Sequence, residues 1–306
     1  MRVDEEFRSA MMEAGLEPPP ALLTDGRIHR CDVAGKKGKR GGAYQLFPDL
    51  LGGGFQNWTT GGWQKWRAKE QNMSHEERAA MVAMIAELQA KREAERAALA
   101  LAAREKAARM WAAGVESSHP YLDRKGVCSN GTRVLGKLLL IPIKDANGIL
   151  RSLQVVTEDG NKRFLRGGEV EGCFTWLRRG RDTGPRIYIC EGLATGTTIH
   201  AATGGRPVVI AFSCGNLLPV GRLLRSRLPG GRFTVCADND HGTDGNPGVK
   251  HATRTAMDIR ARLAIPRGMD GTDFNDLMIE RGLDWVTAQL NTATIPQSCE
   301  LVNYAY

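Results

Sequence analysis

Acidic residues directly follow two short apolar segments of this sequence. Residues 186–190 run into Glu191, and residues 233–237 run into Asp238 and Asp240. Short apolar runs of this kind are typical of buried central strands in parallel sheets. Open α/β sheets place their ligand sites at the carboxyl ends of such strands. The pattern therefore predicts that the three carboxylates share one edge of a sheet.

Carboxylates in this arrangement indicate a site for a hard divalent cation. Asp238 and Asp240 are two residues apart, so their side chains leave on the same face if the strand geometry continues through them. Oxygen ligands of this type suit Mg²⁺ or Mn²⁺. Each acid also has a structural alternative. Glu191 could interact with the dipole of the following helix, and Asp238 and Asp240 could form a turn before Gly242.

Composition narrows the class of protein. The chain has 306 residues, enough for about two domains, and a net charge of +8 favours an anionic partner such as nucleic acid. Its seven cysteines include no Cys-x-x-Cys pair, which indicates a reducing compartment, and no zinc is expected. With no signal-peptide pattern and no apolar run of about 18 residues, the prediction is a soluble intracellular protein without a membrane partner.

The segments of the chain differ in composition, and we predict five of them. They are a small β-rich, basic and aromatic module without zinc at 1–72, a long Ala/Glu/Arg-rich helix or linker at 73–116, a basic α+β subdomain at 117–184, a parallel α/β domain at 185–290 and a tail at 291–306. In the 185–290 segment, strands alternate with helices, which is typical of a parallel sheet with right-handed crossovers.

The N-terminal module combines a cationic hairpin with several aromatic rings. Three short strands are predicted near 28–31, 43–47 and 55–58, and the glycine-rich turn at 35–42 carries four cations. Proteins that bind single-stranded nucleic acid use cations for phosphates and rings for bases. The alternative is that most rings form the core of the module and that the loop is merely soluble.

Three motifs resemble the Toprim fold, which bacterial-type primases, topoisomerases and some nucleases share. They are Glu191-Gly192, Asp238-Asn239-Asp240 and the glycine-bearing turn between them, and the resemblance covers about residues 185–280. The wider chain resembles the Toprim-containing primase-like proteins of plasmids, phages and integrated elements. The segments that carry this resemblance are 122–127, 159–163, 214–217, 246–248 and 272–277. The implied fold is an α/β Toprim core, a Rossmann-like parallel sheet, with an antiparallel basic subdomain, preceded by the long helix and the small β-rich module.

The resemblance implies roles for particular residues. The catalytic candidates are Glu191, Asp238 and Asp240, and the metal candidates are these three with Asp273. The nucleotide- or template-binding candidates are Lys125, Lys162, Arg163, Gly215, Asn216 and Lys250. The chain departs from bacterial housekeeping primases at Thr195, where they have a further aspartate, and in the N-terminal module, which lacks their zinc ligands.

The expected function is therefore that of a DNA primase of a phage, plasmid or mobile element. Such an enzyme makes short RNA primers on single-stranded DNA from ribonucleoside triphosphates, with Mg²⁺ or Mn²⁺ and a separate replicative helicase as a partner. No Gly-x-x-x-x-Gly-Lys-Ser/Thr loop occurs in the sequence. Two alternatives remain open: a Toprim metal-dependent nuclease, and a non-catalytic single-strand-binding replication accessory protein.

Overall fold

The computed structural model describes residues 3–47, 52–68, 75–177 and 186–297, so most of the tail predicted at 291–306 lies outside the described residues. The chain divides into two compact units, residues 1–94 and 95–306. The finer division into five segments stays a prediction. Within the described residues, no helix combines the length and the apolar composition needed to cross a membrane.

The first unit contains one short helix and an antiparallel sheet. The helix is α1 (Val3–Glu13), and the strands, adjacent in chain order, are β1 (Leu16–Glu17), β2 (His29–Val33), β3 (Gly42–Leu46), β4 (Gly52–Asn57) and β5 (Gln64–Arg67). The sequence predicted three of these strands and missed β1 and β5. Phe7 and Met11 of α1 pack against Tyr44 and Phe55 of the sheet, which confirms the core interpretation for these two rings.

A long helix, α2 (His75–Ala113), follows the first sheet in the chain and was predicted over nearly the same residues. The sequence left a linker role open for this segment, but the C-terminal part of the helix is packed rather than exposed. Ala103 and Ala107 are buried, and Ala107 packs against Leu140 and Leu153 of the second unit. The alanine-rich composition therefore reflects close packing of this part of the helix on a sheet.

That sheet is antiparallel and has both faces covered. It follows the short helix α3 (Pro120–Lys125) and comprises β6 (Arg133–Leu135), β7 (Leu138–Lys144), β8 (Leu150–Val156) and β9 (Lys162–Phe164), in that order. Successive residues of a strand point to opposite faces. Accordingly, Leu139 and Ile141 join the core shared with the following domain, while Leu140 packs toward α2.

The last domain is built on a five-stranded sheet in the order β10-β12-β11-β13-β14. Its elements are β10 (Thr175–Leu177), β11 (Arg186–Cys190), α4 (Leu193–Ala202), β12 (Val208–Ile210), α5 (Cys214–Arg227), β13 (Arg232–Cys236), α6 (Pro247–Asp258), β14 (Arg262–Ala264), α7 (Phe274–Arg281) and α8 (Leu283–Asn291).

Four strands of this sheet, β11 to β14, run parallel. The parallel arrangement was predicted, but β14 was not among the predicted strands. The edge strand β10 pairs antiparallel with β12, so the sheet is not wholly parallel. Residues 175–177, which the predicted division placed in the preceding subdomain, therefore belong to this sheet. Gly196 allows α4 to approach the sheet, since a Cβ there would lie 2.9 Å from Cγ1 of Ile210. This packing positions the turn between β11 and α4, where Glu191 lies.

Candidate active site at the carboxyl edge of the parallel sheet

Glu191 directly follows β11 and is half-buried. Its carboxylate accepts a hydrogen bond from the backbone N–H of Cys214, the first residue of α5. Burial and the nearby charge of Asp240 raise the pKa of Glu191 and outweigh the opposite effects of that hydrogen bond and of Lys162. The surroundings of Glu191 therefore disfavour its ionised form, which a role in capping a helix alone does not explain.

Asp238 follows β13 and is the least satisfied acid of the site. Its Oδ1 atom is buried and has no hydrogen-bond partner. Burial and repulsion from Glu191, Asp273 and Asp240 raise the pKa of Asp238 well above its ordinary value. Buried carboxylate oxygens are normally hydrogen-bonded, so an unpartnered one indicates a position that a ligand fills.

Asp240 occupies a different environment, although it lies only two residues further on. Its Oδ2 accepts a hydrogen bond of 3.1 Å from the backbone N–H of Gly248, at the start of α6. A Cβ at position 248 would overlap the Asp238 carbonyl oxygen and lie 2.8 Å from Asp240 Oδ2. The predicted pair is therefore divided: Asp238 lines the central cavity, and Asp240 contacts a helix N-terminus beside it.

Asp273 is both a helix cap and a cavity residue. Its Oδ1 accepts hydrogen bonds from the backbone N–H groups of Asn275 at 2.7 Å and Asp276 at 2.9 Å, which is the arrangement of an N-cap. It also lines the cavity with Glu191 and Asp238. The loop after β13 is joined to this region, since the N–H of Asn239 donates to the Thr272 carbonyl oxygen at 2.6 Å.

The cavity between these carboxylates has a volume of about 130 Å³. It is lined by Tyr121, Lys125, Gln154, Lys162, Glu191, Gly192, Ala194, Thr195, Phe212, Asp238 and Asp273. Three carboxylates from the parallel-sheet domain thus face two lysines from the antiparallel subdomain. Thr195, at the position where a further aspartate was expected from the resemblance, lies in the same lining.

Lys125 is fixed by contacts with α7. Its ammonium lies 3.1 Å from Oδ1 of Asp276, and its carbonyl oxygen accepts a 2.8 Å hydrogen bond from the buried Asn275 side chain. Burial acts to lower the pKa of Lys125, but the bond to Asp276 and the charge of Asp273 outweigh it and raise the pKa overall. Lys125 is therefore held as a cation in the cavity wall.

The structure separates the neighbouring cations Lys162 and Arg163. Both lie on β9 and are exposed, but adjacent residues of a strand point to opposite faces. Lys162 lines the cavity, and its Nζ lies 5.6 Å from the centre of the Tyr121 ring, whereas Arg163 is not among the lining residues.

Three other predicted binding residues lie outside the cavity lining. Gly215 is exposed in the first turn of α5, and Lys250 is exposed in the first turns of α6. Asn216 is buried and accepts a 2.7 Å hydrogen bond from the N–H of Gly172, while its amide donates to the carbonyl oxygens of Val170, Cys173 and Ala211. The Asn216 side chain thus fixes the preceding segment to α5, and its polar atoms are already used.

Sequence reasoning missed the aromatic part of the site. Phe212 has φ of +71°, a left-handed conformation that is uncommon for a bulky residue and that often marks functional sites. Its ring packs edge-on against Phe164 of β9 at 6.3 Å. Tyr121 is buried, and its hydroxyl has no hydrogen-bond partner. The only sequence signal was that Phe212 ends the apolar run at 207–212.

The donor set fits a divalent cation that completes its coordination with other ligands. In the part of the chain that the structure describes, no three acidic, cysteine or histidine side chains lie close enough to form a complete metal site. Mg²⁺ is commonly bound by one or two carboxylates together with substrate phosphates and water. The unpartnered Oδ1 of Asp238, with Glu191 nearby, is consistent with that mode of binding.

Comparison with known families identifies the fold class. Residues 186–284 match the Toprim domain family. The second unit of the chain therefore contains a Toprim domain, with its carboxylates at the carboxyl edge of the sheet.

The chain is also similar to two Escherichia coli proteins named DNA primase TraC. It is 32% identical to one over 283 residues and to the other over 280 residues, and each match covers 86% of this chain. The chain spans 19% of the length of the first protein and 26% of the second. It is a Toprim-domain protein related in sequence to these primases, which confirms the resemblance indicated by its motifs.

Partial matches among solved structures include two primase structures, at low sequence identity. The primase fragment of the bacteriophage T7 primase-helicase protein has a TM-score of 0.46 and 16% identity, covering 58% of this chain and 75% of that one. The catalytic domain of DnaG primase bound to single-stranded DNA has a TM-score of 0.43 and 13% identity, covering 60% and 73%.

Proposed function

We propose that this chain carries the catalytic centre of a DNA primase, which makes short RNA primers on single-stranded DNA for a phage, plasmid or mobile element. The observation that carries the proposal is the cavity itself, where Glu191, Asp238 and Asp273 face Lys125 and Lys162. Transfer of a nucleotidyl group needs positive charge for the triphosphate and carboxylates for a cation, and both lie here within one small site.

Mg²⁺ or Mn²⁺ is the proposed cofactor. Glu191 and Asp238 would hold it, with Asp273 at the cavity wall and Asp240 acting through its charge on both. When bound, a divalent cation would neutralise negative charge on the triphosphate and favour ionisation of the attacking 3′-oxygen. The raised pKa values of Glu191 and Asp238 support this assignment, because a cation would relieve the repulsion that raises them.

The lysines have complementary roles in the proposal. Lys125, held by Asp276 and Asn275, would present a fixed cation to the phosphates of the incoming ribonucleoside triphosphate. Lys162 is exposed at the end of a strand and would contact phosphates of the template or the nucleotide. Fixed charges in a site that excludes water stabilise developing negative charge at little reorganisation cost.

A replicative helicase, supplied by another chain or segment, and a location in the bacterial cytoplasm or nucleoid belong to the same proposal. The proposal does not require Gly215, Asn216 or Lys250 to touch the nucleotide.

The test uses the full chain, single-stranded DNA, labelled ribonucleotides and Mg²⁺ or Mn²⁺. We expect short labelled strands that depend on template and metal and that disappear in a Glu191→Gln variant. The matched control is Glu169→Gln, which changes an exposed acid outside the cavity lining. Cleavage of the DNA without synthesis would instead establish a nuclease, and binding without either reaction would establish an accessory protein.

A further inference from the structure

The two faces of the N-terminal sheet differ in what covers them. On the inner face, Phe7 of α1 packs against the rings of Tyr44, Phe55 and Trp66 at centroid distances of 4.9 to 6.3 Å. Pairing between strands identifies the outer face, because paired residues point to the same side. Arg30 of β2, an exposed residue, belongs to that outer face.

Two tryptophans lie on the outer face. Gly54 of β4 pairs with Lys65, and a Cβ at Gly54 would lie 2.5 Å from Nε1 of Trp63, so this indole occupies the space above the glycine. The guanidinium of Arg30 lies 3.9 Å from the centre of the Trp58 ring. Trp58 is 46% exposed and Trp63 is 38% exposed. Large rings left this accessible within one small unit indicate a binding surface.

The same face is strongly cationic. Arg30, Lys65 and Arg67 are exposed on its strands. The hairpin that joins β2 to β3 carries four further exposed cations, Lys36, Lys37, Lys39 and Arg40. Of these, Lys37 lies 3.7 Å from Glu17, with both side chains exposed.

Asp32, an acid on the same strand as Arg30, is used to shape the hairpin. Its carboxylate accepts hydrogen bonds from the backbone N–H groups of Gly38 and Arg40, each at 2.9 Å, and these bonds lower the pKa of Asp32. The negative charge therefore holds the basic loop in place.

We propose that this outer face binds single-stranded DNA, with Trp58 and Trp63 stacking on bases and Arg30 and Lys65 contacting phosphates. A single strand exposes both the ring faces and the phosphates that these side chains fit, whereas the bases of a duplex are already stacked. The choice of DNA over RNA rests on the proposed function, in which the template is DNA. The platform itself requires neither the Toprim carboxylates nor a metal.

The test measures binding of the full chain to a labelled oligothymidylate of about 15 nucleotides, a length that one such platform can cover. The buffer contains EDTA and no nucleotides, so that catalysis is absent. We expect Trp58→Ala and Trp63→Ala each to weaken binding about tenfold, the scale of one lost base stack. Lys65→Gln should weaken binding and lower the slope of log K against log salt by about one.

Matched variants show whether a loss of DNA binding is specific to this surface or follows from removing any exposed tryptophan or cation. Trp285→Ala removes an exposed tryptophan of α8, and Lys106→Gln removes an exposed cation of α2, and both should bind like the wild type. Trp63→Phe retains a stacking ring and should restore most of the affinity lost in Trp63→Ala. If Trp63→Ala fails to fold by circular dichroism, Lys65→Gln and Trp63→Phe decide the question.

The proposal is overturned if the Trp58→Ala, Trp63→Ala double variant binds like the wild type or if Lys65→Gln leaves the salt slope unchanged. It is also overturned if oligouridylate of the same length binds more tightly than oligothymidylate. Its failure is distinguishable from failure of the proposed function. Loss of primer synthesis in Glu191→Gln with normal DNA binding in EDTA would support both proposals. Absence of synthesis in the wild type would leave the platform standing.

Discussion

Carboxylates at the strand ends and on α7, beside the cavity, have opposite environments. At the strand ends, burial and mutual repulsion raise the pKa values of Glu191 and Asp238, and Asp238 Oδ1 has no partner. On α7, burial acts to raise the pKa of Asp276, but the N–H of Thr272 and the ammonium of Lys125 outweigh it and lower the pKa. Acids of the second kind stabilise the fold, whereas acids of the first kind destabilise it until a ligand compensates their charge.

The Asp238→Asn variant tests the difference between these two kinds of acid most directly, because it removes the charge but keeps the shape of the side chain. We expect primer synthesis to fall by a factor on the order of a hundred or more, since an amide cannot replace a carboxylate that would hold the divalent cation. The melting temperature should rise at neutral pH because an unfavourable buried charge is gone. Primer synthesis and thermal unfolding, measured on the same preparations, check both expectations.

The pH dependence of that variant has a definite sign. A carboxyl whose folded pKa is raised lowers stability by the full amount above the folded pKa. This cost shrinks as the pH falls through the folded pKa and is gone below the unfolded pKa. The stability advantage of Asp238→Asn should therefore shrink toward acid pH. Asp244→Asn, in the same loop but exposed, should change neither activity nor stability. Equal activity of Asp238→Asn and wild type would contradict the assignment.

Gly248→Ala tests whether the close approach of α6 keeps the two aspartates of the loop apart. The added Cβ would overlap the Asp238 carbonyl oxygen and press on the Asp240 carboxylate. We expect a loss of about 1–3 kcal/mol of unfolding free energy, the usual range for overpacking, together with reduced activity. Gly242→Ala is the control, because a Cβ there would meet nothing within 4 Å. Chemical denaturation of the two variants measures the difference, and equal stability would contradict the packing argument.

The Lys162→Gln and Arg163→Gln variants test whether a cation that lines the cavity matters more than its neighbour on the other face of β9. Lys162 lines the cavity and Arg163 points to the other face of β9. We expect Lys162→Gln to lower the rate of primer synthesis roughly tenfold, within the range for loss of one electrostatic contact, and Arg163→Gln to lower it much less. Steady-state rates at saturating template compare them. The reverse order would show that the cavity is not the reaction site.

The Asp276→Asn variant has the smallest expected effect. It should lower the free energy of unfolding, whereas Asp238→Asn should raise it. The variant should lose about 1 kcal/mol of unfolding free energy at neutral pH, because an amide at position 276 cannot form the partly buried ion pair with Lys125. A carboxyl whose folded pKa is lowered contributes stability above its unfolded pKa and loses it as the pH falls through the folded pKa. The difference from wild type should therefore vanish in acid, as measured by denaturation at several pH values. A variant as stable as wild type at pH 7 would show that the pair contributes nothing.

The strands that end in acids could be predicted because a short apolar run that stops at a charge depends only on neighbouring residues. The edge strands β1 and β5 were missed, since they are short and their pairing depends on residues distant in sequence. The packing of Ala103 and Ala107 was missed for a similar reason: an alanine-rich helix has the same composition whether it crosses solvent or lies on a sheet.

The sequence by itself determined the class of the fold, the parallel arrangement of the central elements and the expectation that Glu191, Asp238 and Asp240 share one edge of the sheet. Only the tertiary structure decided how those acids differ. Asp240 accepts a hydrogen bond from the start of α6, and Asp276 of α7 accepts one from Lys125 of the antiparallel subdomain. Asp238 is enclosed without a partner for its Oδ1, and Lys125 and Lys162 line the same cavity. The reason is physical, because the ionisation and availability of a carboxylate depend on the burial, donors and charges around it, and here distant parts of the chain supply them.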